Sequence, residues 1–166
     1  MWSFLLQLIE IIFVVVAAAL PVGELRVAIP MAMITYDFTW FQAAVFGLIG
    51  NLIPVLIMPW VLHKFGWVLF KLPRPIPSIL EWRSRSLKVE GRNRILKYRR
   101  FGLIPFVAIP LPFTGAWTGI LAAWIFDIHP NKAIPMLMVG VIISGIIVTT
   151  LMYLGISIKL VLGDLN

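Results

Sequence analysis

Cysteine is missing from this 166-residue chain. Disulfides, thiolate metal ligands and cysteine nucleophiles are therefore excluded. Charge is scarce: Asp, Glu, Lys and Arg make up 13% of the chain, and only 7 residues are acidic. Histidine occurs twice, at His63 and His129, far apart in sequence and near the ends of apolar segments. Such a pair is a poor metal site and a good fit to a membrane interface. There is no glycine-rich phosphate loop and no helical His-x-x-x-His spacing. Without a nucleophile–base constellation, neither an enzyme nor a resident cofactor or metal is expected.

What the chain has in abundance is apolar sequence. Hydrophobic residues make up 61% of it, against about half in soluble domains, and the mean hydropathy is +0.99. Long apolar stretches recur at 2–20, 38–62, 101–126 and 133–158. A helical span needs about 20 mostly apolar residues, so the chain is expected to be an all-α integral membrane protein forming one membrane domain. The first stretch resembles a signal peptide only in part. No Lys or Arg precedes Arg26, and Glu10 interrupts the run, although Ala17-Ala18-Ala19 resembles a cleavage site. It is read as a retained helix.

Against this background Glu24 and Arg26 stand out, flanked by apolar sequence and by Pro21 and Pro30. Charge at membrane depth is costly and marks transport pathways and proton relays. The prolines predict that no smooth helix runs through the pair. Residues i and i+2 do not face each other on a helix, so a direct Glu24–Arg26 contact requires irregular backbone. A carboxyl in apolar surroundings can be tuned to exchange protons near neutral pH. A guanidinium stays charged and offers five donors to a phosphate or carboxylate. The structural alternatives are an ion pair for Glu24 and a clamp on freed carbonyls for Arg26.

Of the 14 basic residues, 11 lie between Lys64 and Arg100, beside only Glu81 and Glu90. A short loop so biased stays in the cytoplasm and can touch anionic lipid headgroups. Its start, Leu72 to Pro77, is proline-rich and semi-rigid. Ser78 to Arg100 reads as a basic amphipathic helix on the membrane surface, with Trp82, Leu87 and Tyr98 at the interface. Nucleic acid is not an expected partner.

The two halves resemble each other at an offset of about 90–91. Leu20-Pro21-Val22-Gly23 matches Leu111-Pro112-Phe113-Thr114 with Gly115 next, Asp37 matches Asp127, and Gly50 matches Gly140. Broken segments at corresponding positions in two halves point to a transporter binding site. The predicted layout is a transmembrane helix at 2–20, a re-entrant hairpin at 21–37 and a transmembrane helix at 38–63. A basic linker at 64–100 follows, then a second re-entrant hairpin at 101–128 and a transmembrane helix at 132–160. The linker fixes one end of 38–63 in the cytoplasm, so the hairpins enter from opposite faces as an inverted repeat. Irregular backbone at that depth must be buried or line a wet cavity, and half-helix ends there favour an anion. The rival layout makes 101–128 one full span.

Two blocks carry a family resemblance. Gly23-Glu24-Leu25-Arg26-Val27-Ala28-Ile29-Pro30 resembles the Glu-Leu-Arg-x-Ala-Ile-Pro signature of the small multi-drug export proteins. Pro110-Leu111-Pro112-Phe113-Thr114-Gly115-Ala116-Trp117-Thr118-Gly119 resembles that family's second block, usually Gly-Thr-Gly-Ala-Trp-Thr-Gly, with Phe113 in place of the first glycine. More remotely, the family is similar to the DedA proteins and their VTT-domain relatives. That likeness implies paired re-entrant hairpins and movement of lipid carriers or phospholipids, in bacteria with proton coupling. It also implies a role for a hairpin glutamate, matched by Glu24, and for an arginine ahead of a proline, matched loosely by Arg100 and Pro105.

Together these features lead to an expected proton-linked secondary transporter of an anionic amphipathic or lipid-linked substrate in the inner (cytoplasmic) membrane. The alternative is a passive scramblase or lipid-binding scaffold. Pathway residues are expected at Glu24, Arg26, Asn51, Arg100, Thr114, Gly115, Trp117 and Thr118. The threonines and Asn51 also suit helix–helix hydrogen bonding, and Gly115 and Gly119 suit close backbone approach. Asp37 and Asp127 read as turn or N-cap residues, and Trp40, Trp60, Trp67 and Trp124 as interface belts. Membrane lipids are the expected partners, and a homodimer would help so few spans enclose a pathway.

Overall fold

The computed structural model describes residues 2–66, 101–110 and 115–163. Most of the basic linker, together with Arg100 and Thr114, lies outside the described residues. So do Trp67 and the predicted amphipathic helix. Within them the regular structure is helical throughout: α1 (Trp2–Ala19), α2 (Glu24–Ile34), α3 (Trp40–Phe65), α4 (101–108), α5 (Ala116–Ile125) and α6 (Pro130–Gly163). Among the described residues the fold is thus all helical, consistent with a membrane protein. Its α3 and the 130–155 part of α6 are each long and apolar enough to cross a bilayer. At 26 residues each they reach about 39 Å, against a hydrocarbon core of about 30 Å. The short helices cannot do this: α2 has 11 residues and α5 has 10, or about 15 Å.

Two compact units divide the described chain. One holds α1, α2, α3 as far as Ile53 and α6 from Val141; the other holds α3 from Pro54, α4, α5 and α6 as far as Gly140.

In the first unit α1 runs without Pro or Gly and stops at Ala19, because the residue before Pro21 disfavours helical backbone. It packs on α2, turning its buried Val14 and Ala18 inward while Phe4, Leu6 and Phe13 stay exposed. Such a surface would be prohibitive in water and suits lipid. The buried residues of α2 are Leu25, Ala28, Ile29 and Ala32, the i, i+3, i+4, i+7 stripe of a one-faced helix. They meet small residues on α3. A Cβ added at Gly47 would lie 3.1 Å from Ile29 and 3.2 Å from Leu25, and one at Gly50 would collide with the Val15 carbonyl of α1. Lipid tails are as apolar as leucine, so close packing over small residues, rather than water exclusion, holds such helices together.

The second unit repeats the recipe. Leu103, Val107 and Ala108 of α4 are buried, as are Ala116, Gly119, Ile120 and Ala123 of α5. A Cβ at Gly140 would lie 2.7 Å from Val107, and one at Gly119 would meet Val107 and Leu137. The close approach expected at Gly119 is thus present. Residues 109, 110 and 115 are non-helical, so 101–128 is not one continuous helix.

The turns before the long helices are specified locally. Thr39 and Gln42 form a reciprocal capping box at the start of α3: the Thr39 N–H donates to Gln42 Oε1 at 3.0 Å, and the Gln42 N–H to Thr39 Oγ1 at 3.3 Å. At α6, Pro130 takes the first helical position and the Asn131 N–H donates to His129 Nδ1 at 3.3 Å. Asp37 and Asp127 are turn residues, both in the left-handed region at φ 52° and 57°, while the caps themselves are Thr39 and His129. Asp127 ends α5 in a Schellman motif. The Ile128 N–H bonds the Ala123 carbonyl at 2.9 Å and the Asp127 N–H bonds that of Trp124 at 3.1 Å.

Candidate functional site

Glu24 heads α2, directly after the turn Leu20–Gly23 that separates it from α1. The turn is closed by backbone bonds from Glu24 N–H to the Leu20 carbonyl (3.3 Å) and from Val27 N–H to that of Gly23 (3.2 Å). Gly23 passes against the Ala17 carbonyl, where any side chain would collide. Glu24 itself has φ 47°, a conformation non-glycine residues seldom take. That irregular backbone brings its carboxylate to Arg26: Glu24 Oε2 lies 3.7 Å from Arg26 Nη2. An ordinary helix could not bring i and i+2 together, so the condition set by the sequence is met through the strained residue. Both groups are largely withdrawn from the surface, with side chains 12% (Glu24) and 27% (Arg26) exposed. At 3.7 Å the pair is looser than the 2.7–2.9 Å typical of a charge-assisted hydrogen bond.

The two-proline expectation is corrected in part. The chain breaks once, at Leu20–Gly23, and Pro30 lies inside α2. Pro30 deprives the Arg26 carbonyl of its i+4 donor, but α2 has only one further turn to run.

Asn51 sits in the same unit, 2% exposed on α3, and its Oδ1 has no hydrogen-bond partner. Gly115, Trp117 and Thr118 belong to the other unit. The Thr118 hydroxyl is used locally, donating to the Gly115 carbonyl at 3.2 Å, and Trp117 is half-buried. Of the six expected residues that the structure describes, it joins two pairs, Glu24 with Arg26 and Gly115 with Thr118. Sequence spacing also hid one association. His63 and His129, remote in the chain, stand with ring centroids 5.1 Å apart, and Trp60 packs edge-on to His129 at 5.8 Å. No group of three or more His, Cys, Asp or Glu among the described residues could hold a metal.

The geometry at Glu24 falls where a family boundary does. The family described as "Putative small multi-drug export protein" matches residues 24–147, about three quarters of the chain. The chain belongs to this family. The match begins at Glu24 itself, takes in α2, α3, α4 and α5, and ends within α6. No curated protein and no solved structure matches the chain. The strained glutamate and its arginine thus lie within the matched range, at its first and third residues.

Proposed function

We propose that this small multi-drug export protein is a proton-linked secondary transporter, without enzymatic activity, whose substrate is an anionic amphipathic or lipid-linked molecule. The observation that carries this is the Glu24–Arg26 pair: an acid and a guanidinium 3.7 Å apart, largely withdrawn from the surface, at a helix break in an apolar chain. In this mechanism Arg26 receives the substrate's anionic group in place of Glu24. Protonation of Glu24 frees the arginine for that exchange, and deprotonation restores the pair and expels the anion. Each transport cycle is thereby linked to one proton. The family's name, which speaks of drug export, fits such a carrier.

An inverted repeat of re-entrant segments in the inner membrane, with the basic linker at the cytoplasmic lipid headgroups and a homodimer as the assembly, completes the proposal. Several features support it. Asp37 and Asp127 are ninety positions apart, and both adopt left-handed backbone between a short and a long helix. Gly50 and Gly140, at the same spacing, each admit a neighbouring helix, α1 in one unit and α4 in the other. At about 15 Å, α2 and α5 have the length of half-membrane elements. Arg100, Thr114, Gly115, Trp117, Thr118 and Asn51 are assigned to the substrate path.

The test uses purified protein in liposomes carrying a fluorescent anionic amphiphile. An imposed pH gradient should drive accumulation, and Glu24→Gln should abolish that drive. Translocation that ignores the gradient in both proteins would identify a passive scramblase instead. Gradient-driven transport surviving Glu24→Gln would remove the proton role from this residue.

A further inference from the structure

Asn51 is 2% exposed, and its Oδ1 is buried without a hydrogen-bond partner. A bare acceptor inside a folded unit is costly and calls for a donor. The place of Asn51 on α3 says which one. Gly23, in the turn before Glu24, and Gly50 press on the same turn of α1. An added Cβ at Gly23 would collide with the Ala17 carbonyl, and one at Gly50 with the Val15 carbonyl and Ala18. Asn51 follows Gly50, so it stands level with the helix break at Glu24.

Its direction follows from Gly47, four residues earlier and therefore on the same face of α3. Gly47 lies against Leu25 and Ile29 of α2. The short turn at 35–39 folds the chain back, with the Phe38 N–H bonded to the Ala32 carbonyl at 3.0 Å, so α2 and α3 are antiparallel. The step from Gly47 to Asn51, about 6 Å, leads from the middle of α2 back to its first turn. Glu24 begins that turn, four residues ahead of the fully buried Ala28. On α2 its charged neighbour is Arg26. From the other helices of this unit, α1 carries Glu10, two turns from Ala17; α3 carries no charged or titratable residue before His63, and α6 none from Val141 to Ile158.

An ionised carboxylate only accepts hydrogen bonds, whereas a protonated one carries an O–H donor. We propose, resting on the proton-linked reading of Glu24, that Asn51 is the positioning residue of the protonated state: Glu24 turns from Arg26 and donates its O–H to Asn51 Oδ1. One proton from water adds to a carboxylate oxygen, and otherwise only hydrogen bonds change. Arg26 is then open to the substrate's anionic group. On release the proton returns to water and the carboxylate returns to Arg26. The paired arrangement seen in the structure is the unprotonated one, and for that reason the Asn51 oxygen is bare in it.

The test combines acid-minus-neutral infrared difference spectra of the purified protein with gradient-driven uptake into liposomes over a series of pH values. Wild type should show a protonated-carboxyl band that Glu24→Gln removes. In Asn51→Leu, close in size but without the acceptor, that band should move to higher frequency. The pH of half-maximal uptake should fall by about one unit, since losing one hydrogen bond to the protonated form weakens proton binding roughly tenfold. Asn51→Ala, which cannot overpack the site, should give the same two changes. The inference is overturned, with the proton role of Glu24 intact, if the band is present but unmoved in both variants. It is overturned too if the pH of half-maximal uptake rises, since Asn51 then bonds the ionised carboxylate through its Nδ2. If Glu24→Gln removes no band, the proton-linked reading itself fails and the role of Asn51 fails with it.

Discussion

Glu24 sits at φ 47°, and that conformation can be measured by comparing glycine with alanine at this one position. Left-handed backbone costs a residue with a Cβ about 1–2 kcal/mol, whereas glycine adopts it freely. In an ordinary helix the order is the reverse, alanine being better by about 1 kcal/mol. Neither substitution retains the carboxylate, so both lose the contact with Arg26, and that loss cancels in the comparison. Glu24→Gly should therefore be more stable than Glu24→Ala by about 1 kcal/mol, read from the SDS mole fraction at half-unfolding in mixed micelles. Glu24→Gln separates the other term. It keeps the strain and loses the charge. Because the neutral amide weakens the contact with a guanidinium largely withdrawn from the surface, its cost should be about 1–3 kcal/mol. If alanine equals or exceeds glycine, Glu24 is not strained, and the account of how positions i and i+2 meet fails. If glycine wins and also abolishes gradient-driven transport, the chain keeps a strained residue where a relaxed one folds better, which is the expected mark of a functional side chain.

Two further outcomes follow from packing and capping. Gly119→Ala should destabilise by about 1–3 kcal/mol through overpacking, because its Cβ would meet Val107 and Leu137; adding Leu137→Ala should cost less than the sum of the single changes, a non-additivity of at least about 0.5 kcal/mol. Additive costs would refute the contact. Thr39→Ala should cost about 1 kcal/mol by removing one side of the capping box and should raise amide exchange at Gln42, whose N–H now bonds the Thr39 hydroxyl; unchanged exchange there would refute the assigned cap.

The long helices were legible because apolar runs of membrane length leave few other structures open to them. The breaks were legible only in part. Pro21 ends α1 as its chemistry requires, but Pro30 was equally suspect and is carried inside α2. A proline costs a helix one hydrogen bond and a clash four residues back, and whether that stops the helix depends on packing that sequence does not display. Leu25 and Ile29 anchor α2 against Gly47, and the helix continues for another turn past the proline. The Asp37 and Asp127 turns were legible from their spacing, whereas their left-handed backbone was not. His63 and His129 meet only because α3 and the start of α6 come together, a tertiary fact without a local signal.

The two halves also solve one packing problem with opposite partners. At Gly47 of α3 a side chain is absent, and Ile29 of α2 fills the space; ninety positions on, the long helix carries Leu137 and the short helix carries Gly119. Bulk and void have changed places while the close approach of short helix to long helix is kept in each unit. Such an exchange follows if what matters is the distance between the two backbones, since membrane helices gain attraction chiefly by approaching closely and interiors fill to a fixed density. On the proposed repeat, it also accounts for how weakly the two halves match in sequence. Aligning Ile29 with Gly119 and Gly47 with Leu137 gives two mismatches, although together they form one conserved contact. A search that compares residues singly discards them; one that compares the summed volume of facing positions retains them. The turns, by contrast, keep both residue and backbone, Asp37 and Asp127 sharing the left-handed conformation.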